Sequence, residues 1–118
     1  MIKKYRKNGI NFVKIKNNSS MKVVLCDLGA SIYLIENGGE VMTPQVKKEK
    51  DFWPESVRFG KNVGRVAGRI PNHTLVIGEN SYDLSANERT NTLHGGHDGI
   101  ATKQFLYLTD EQDDFYTV

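Results

Sequence analysis

The sequence predicts an all-β fold, and three observations carry that expectation. Short runs rich in Val, Ile, Phe and Tyr recur along the chain, and these residue types suit a pleated, half-buried surface. Clusters of Gly, Asn and Ser separate the runs, as turns require. No segment carries a convincing i, i+3, i+4 apolar recurrence of an amphipathic helix; residues 62–67 offer at most one short turn.

The chain opens on Lys3-Lys4-Tyr5-Arg6-Lys7, which reads as a solvated or mobile start. The first strand follows over Ile10–Lys16, where Phe12, Val13 and Ile15 are apolar on parts of both faces. Asn17-Asn18-Ser19-Ser20 is a turn cluster. Residues 21–27 and 31–36 are β-rich through Val23, Val24, Ile32, Tyr33 and Ile35, with a bend or bulge at Gly29-Ala30. Asn37-Gly38-Gly39 is a hairpin signal. Periodicity then disappears from 43 to 71, a segment holding Pro44, Pro54, Pro71 and Trp53. A loop of that length in a compact domain is usually functional or mobile. Thr74–Ile77 and residues 81–84, joined through Gly78-Glu79-Asn80, read as a second hairpin. After an irregular stretch over 85–102, residues 104–109 and 115–118 predict a last hairpin around Asp110-Glu111-Gln112-Asp113-Asp114. That acidic turn reads as a solvated loop, because it lacks the glycine and terminal glutamate of a calcium loop.

Composition narrows the function. The 118 residues make one domain, 1–118, with one core. Sixteen basic residues against 14 acidic ones leave a net charge of +2, too balanced to imply nucleic acid or an anionic membrane as partner. No apolar h-region follows the first lysines, and no run reaches the roughly 20 apolar residues that cross a bilayer. The single cysteine, Cys26, lies in the apolar run Val23-Val24-Leu25-Cys26 and reads as a small core residue. These features point to the cytoplasm.

Two strings carry the candidate chemistry. Asn91-Thr92-Leu93-His94-Gly95-Gly96 sets an imidazole and an amide on a glycine turn, where a ligand can approach the backbone. Gly64-Arg65-Val66-Ala67-Gly68-Arg69-Ile70 supplies guanidinium groups upstream. A neutral imidazole donates from one nitrogen and accepts at the other, which matches a hydroxyl or ring oxygen; the bland alternative is a histidine that tethers its own loop. Arg69 either presents a donor fork to hydroxyls or forms a surface salt bridge. Asn91 and Asn87 either line the pocket or cap turns. Together the groups suit a neutral, hydroxyl-rich ligand such as a sugar. His94, His97 and Asp98 do not make a metal site, since zinc needs three or four ligands with supporting partners. Gly60-Lys61-Asn62-Val63-Gly64-Arg65 lacks the Gly-Lys-Ser/Thr of a phosphate loop. No nucleophile is paired with a base.

In order along the chain, four strings resemble the aldose 1-epimerase (galactose mutarotase) family. They are Leu28-Gly29-Ala30-Ser31-Ile32; Phe59-Gly60 through the arginine string to Ile70; Tyr82-Asp83-Leu84 with Asn87; and the histidine-glycine-glycine string at 91–96. The resemblance covers nearly the whole chain. It implies a β-sandwich of the galactose mutarotase type (a supersandwich), here as its N-terminal part, with an aldohexose on its open face. It also implies a cofactor-free isomerase of hexose metabolism that interconverts α and β anomers. A glutamate takes the C1 hydroxyl proton, a histidine protonates the ring oxygen, and the ring opens, rotates and closes.

By that resemblance Arg69 falls on the arginine that binds and orients the sugar. His94 falls on the first active-site histidine, which hydrogen-bonds near the ring oxygen and supports the acid. The family's second histidine and its glutamate lie further along than Val118, so the 118 residues alone are expected to be nearly inactive. Gly68 stands where an asparagine is common, and Phe105 where a tryptophan is frequent. The unfinished apolar run at 115–118 supports an N-terminal piece of a longer protein, whose open strand edges favour self-association. Two alternatives remain: a non-catalytic sugar-binding or regulatory module on the same scaffold, and an epimerase acting on a sugar phosphate with Arg65 as its extra cation.

Overall fold

The computed structural model describes residues 1–112 and 116–118. Its main feature is a five-stranded antiparallel sheet in the order β1-β2-β3-β4-β5. The strands are β1 (Ile2–Lys7), β2 (Ile10–Lys16), β3 (Met21–Cys26), β4 (Ser31–Asn37) and β5 (Glu40–Val41). Each joins the next through a short local turn. Asn17 shapes one of these, its Oδ1 accepting the N–H groups of Ser19 at 3.0 Å and Met21 at 2.9 Å. Gly38 and Gly39 make the tight turn between β4 and β5, as the sequence predicts.

The basic N-terminus departs from its expected looseness. It is an ordered edge strand, paired from Ile2 opposite Ile15 to Lys7 opposite Ile10. The signal was Asn8-Gly9, whose φ values of 50° and 81° make the turn that suits right-twisted hairpins. Tyr5 stacks on Phe12 with ring centroids 5.0 Å apart. Apart from the half-buried Ile2, the remaining side chains of β1 are exposed, and a lysine-rich edge of this kind resists pairing with other chains.

The core lies between one sheet face and the 43–71 segment. Ile10, Phe12, Val24, Cys26 and Leu28 are buried there with Phe52, which sits in a 3₁₀ turn over Glu49–Phe52. Phe52 packs edge-on against Tyr33 at 5.1 Å and lies 5.8 Å from Phe59. Between Val24/Leu34 and Leu25/Ile32 the register slips by one residue. Tyr33 is therefore a bulge residue, which lets it join Leu34 against the core. The long proline-bearing loop is thus the cover of the sheet. Lys61, within that loop, is buried, with Nζ donating to the Phe52 carbonyl at 2.6 Å and 4.6 Å from the Phe52 ring centroid. Burial lowers the pKa of that lysine.

Three two-stranded sheets follow: β6 (Arg69–Ile70) with β9 (Thr92–Leu93), β7 (Thr74–Ile77) with β8 (Asn80–Asp83), and β10 (Asp110–Glu111) with β11 (Tyr116–Thr117). The last pair corrects the predicted hairpin. Residues 104–109 do not form its first strand, and pairing begins only at Asp110 opposite Thr117. The 104–105 backbone is already engaged elsewhere: Gln104 bridges Leu28, and Phe105 donates its N–H to the Asp27 carbonyl at 2.9 Å. Phe115, Asp113 and Asp114 of that expectation lie outside the described residues. Among the described residues only 3₁₀ turns, and no α-helices, occur. No helix there is long and apolar enough to cross a membrane. The all-β class is as expected, and a large sheet beside smaller ones fits part of a β-sandwich.

Candidate functional site

The two strings singled out in the sequence meet as β6 and β9. Arg69 pairs with Leu93 and Ile70 with Thr92, and the ladder is anchored by the buried side chains of Ile70, Thr92 and Leu93. One step past the ladder, His94 and Gly68 bond twice. The His94 N–H donates to the Gly68 carbonyl at 2.9 Å, and the Gly68 N–H donates to His94 Nδ1 at 3.0 Å. A ring nitrogen that accepts an N–H carries no proton of its own. The neutral ring therefore holds its hydrogen on Nε2, leaving that nitrogen a donor. Gly68 has a φ of +83°, a conformation that glycine adopts freely and asparagine tolerates. Gly68 therefore supplies both the turn and the amide that holds the histidine.

The glycine after His94 is fixed by close approach. A Cβ on Gly95 would lie 1.8 Å from the Gly64 carbonyl oxygen, and its φ is +92°. The same Gly64 oxygen accepts the Ile100 N–H at 3.2 Å. The arginine string and the histidine turn are thus packed backbone against backbone. A hollow of about 510 Å³ lies alongside, walled by Arg65, Ile70, Thr92, Gly95, Ile100 and Lys103. Arg69 and His94 are not among its lining residues.

Arg69 is exposed and grips Glu88 with both arms of its fork, Nε to Oε2 at 2.5 Å and Nη2 to Oε1 at 2.7 Å. The hydrogen bonds from Arg69 hold the Glu88 carboxyl below the usual carboxylate range, and the same bonds raise the Arg69 guanidinium. Asn91 closes the turn that carries Glu88. The backbones of residues 88 and 91 exchange two N–H···O bonds, of 3.1 and 2.9 Å, and Asn91 Oδ1 lies 3.3 Å from the Asn72 N–H that it accepts. The other residues weighed in the sequence find separate partners. His97 bonds Glu55, Asp98 pairs with Lys103 at 2.9 Å, and His73 Nδ1 lies 3.1 Å from the Thr90 carbonyl. Among the described residues no group of three or more His, Cys, Asp or Glu side chains converges in a way that could hold a metal ion.

Sequence reasoning missed one participant, Glu55. Its carboxylate accepts from Asn87 Nδ2, from His97 Nδ1 at 2.6 Å and from Arg58 Nη2 at 3.0 Å. Burial pushes this carboxyl up, but the bonds from Asn87 and His97 and the charges of His97 and Arg58 outweigh it, and the net direction is down. Asn87 in turn clasps β9: it donates to the Leu93 carbonyl at 2.9 Å and accepts the Leu93 N–H at 2.6 Å. Nothing in the local sequence around Pro54-Glu55 marks this role.

Comparison with known proteins gives the family and the fold. The family model described as aldose 1-epimerase matches residues 11–118. A Streptococcus thermophilus aldose 1-epimerase is 27% identical over 124 residues, covering 98% of this chain and 34% of that protein. A Lactobacillus helveticus aldose 1-epimerase is 29% identical over 93 residues, covering 77% of this chain and 72% of its own length. The crystal structure of galactose 1-epimerase from Lactobacillus acidophilus superimposes with a TM-score of 0.79 at 25% identity, over 96% of this chain and 35% of that one. The chain therefore spans about a third of the length of the Streptococcus thermophilus relative and of that solved structure.

Proposed function

The chain belongs to the aldose 1-epimerase family, and on that premise we propose that the protein it forms part of interconverts the α and β anomers of aldohexoses such as galactose or glucose. In this reading a base removes the C1 hydroxyl proton while an acid protonates the ring oxygen. The ring opens, the C1–C2 bond rotates, and closure on the other carbonyl face gives the second anomer. Proton loss and gain balance, so no cofactor is required.

The 118 residues contribute the sugar-binding side of that chemistry. One observation carries the reading: the Gly68 N–H occupies His94 Nδ1 and so leaves Nε2–H as a fixed donor. A ring oxygen that gains negative character as the C1–O bond breaks is stabilised by such a preorganised donor. Arg69, on the strand paired with the one that ends just before His94, binds hydroxyl oxygens through its fork once Glu88 yields or shares it. Asn91 sets the turn between them and adds an amide. The acid and base implied by the family resemblance have no counterpart among these residues, so the chain by itself binds sugar and turns it over poorly. The lone buried thiol of Cys26 suits a reducing compartment, and we place the protein in the cytoplasm.

Polarimetry of freshly dissolved α-galactose or α-glucose tests this. The whole protein should speed the approach to equilibrium rotation well beyond the buffer rate. No acceleration with any common aldohexose overturns the reading. Sugar binding without acceleration favours a non-catalytic module on the same scaffold.

A further inference from the structure

The histidine turn is held by a contact set far outside it. The Pro54-Glu55 corner is pinned to the core by Lys61, whose Nζ lies 2.6 Å from the Phe52 carbonyl and 3.4 Å from that of Pro54. From this corner the Glu55 carboxylate reaches both flanks of the turn. One oxygen takes Asn87 Nδ2, and Asn87 clasps the backbone of Leu93 on both its N–H and its carbonyl. The other oxygen takes His97 Nδ1 at 2.6 Å. Residue 93 immediately precedes His94, and residue 97 follows the Gly95-Gly96 pair.

We propose that Glu55 is a positioning residue for His94: its single carboxylate clamps Leu93, through Asn87, and His97 directly, and so fixes the turn on which the imidazole stands. The proposal rests on the reading of His94 as a sugar ligand. The physical reasons are these. His94 has a φ of +53°, a left-handed backbone that is uncommon for a residue with a Cβ and that a surrounding set of contacts helps to hold. The turn has few strand hydrogen bonds of its own, because β9 is two residues long. A carboxylate can accept at both oxygens, whereas a glutamine in its place presents one acceptor oxygen and an NH₂ that cannot accept. Arg58, 3.0 Å from the Asn87-facing oxygen, helps hold the carboxylate in its charged, doubly accepting form.

The test compares the protein with its Glu55→Gln and His97→Ala variants by amide hydrogen exchange and by ring nitrogen NMR of His94, without sugar. In Glu55→Gln the Leu93 and Gly68 amides should exchange about tenfold faster or more, and His94 should lose its single Nε2–H tautomer, while Val24 and Phe12 in the main sheet stay protected. His97→Ala removes one arm at an exposed position and should loosen the Gly68 amide by a smaller factor, about threefold. Unchanged Gly68 exchange and an unchanged His94 ring spectrum in His97→Ala overturn the proposal, even if Glu55→Gln fails to fold. A sugar titration completes the set: galactose or glucose affinity should weaken about tenfold in Glu55→Gln. If the unaltered protein binds no sugar, the functional reading fails, while the clamp still stands or falls on the exchange and ring data.

Discussion

His94 and Gly68 hold each other by reciprocal bonds: Nδ1 of the histidine accepts the glycine N–H at 3.0 Å, and the histidine N–H donates to the glycine carbonyl at 2.9 Å. The pair joins the two strings of the sequence that carry the candidate site, and it decides which ring nitrogen keeps its hydrogen. In the proposed reaction that nitrogen donates. His94→Ala should therefore cost the whole protein about 10²-fold or more in kcat/KM, the scale of losing a preorganised donor. Long-range nitrogen–proton NMR should show the Nε2–H tautomer in the unaltered protein.

Gly95 separates a steric requirement from a conformational one. Gly95→Ala would set a methyl 1.8 Å from the Gly64 oxygen, whereas a methyl at Gly38, also at positive φ, meets nothing within 4 Å. Gly38→Ala should cost only about 1–2 kcal/mol, the strain of the left-handed backbone. Gly95→Ala should destabilise by clearly more and abolish sugar binding. Urea unfolding of both variants makes the comparison.

Phe52 is the cover's main anchor. It is fully buried among Tyr33, Phe59 and the sheet residues. Phe52→Ala should destabilise the protein by about 3–5 kcal/mol, and urea unfolding should show it as a lower midpoint with similar slope. A loss below 1 kcal/mol would mean that the 43–71 segment does not close the core.

Stability should fall in acid through the Glu55 clamp. The folded-state pKa of this carboxyl is lowered, so its contribution is complete above the unfolded value of about 4.3 and is lost as pH falls through the lower folded value. Glu49 and Asp98 are lowered too, Glu49 chiefly by its bond from Lys7 and Asp98 by its bond from Lys103, and add in the same direction. Melting temperature should drop below about pH 4.3, and Glu55→Gln should flatten that drop. An equal drop in the variant assigns the acid sensitivity to the other carboxylates.

The 118-residue chain is expected to self-associate. The second sheet face carries Val13 and Leu25 beside the 105–110 segment, around a trough of about 730 Å³, and Leu106 and Leu108 stand almost wholly in water. The lysines of β1 protect one sheet edge but not this face. Light scattering should show mass rising with concentration, and Leu106→Ser with Leu108→Ser should suppress it. A stable monomer across the range would show that the trough needs no second copy.

What the sequence determined by itself is what short windows encode. Runs such as Ile10–Lys16 are β-rich in themselves, the Asn-Gly and Gly-Gly pairs specify tight turns by their own backbone preferences, and the motif strings at 64–70 and 91–96 resemble a family whose fold then followed. Asn8-Gly9 was equally legible and would have placed β1. What only the tertiary structure decided is which distant groups share a bond. Glu55 lies 32 residues from Asn87 and 42 from His97, and Gly68 lies 26 from His94. Whether Glu88 occupies the Arg69 fork, and whether 104–109 pairs or stays single, likewise depend on what the rest of the chain brings alongside. A hydrogen bond needs both partners within about 3 Å in the right direction, and strand pairing and packing supply that, not the residues on either side in the chain.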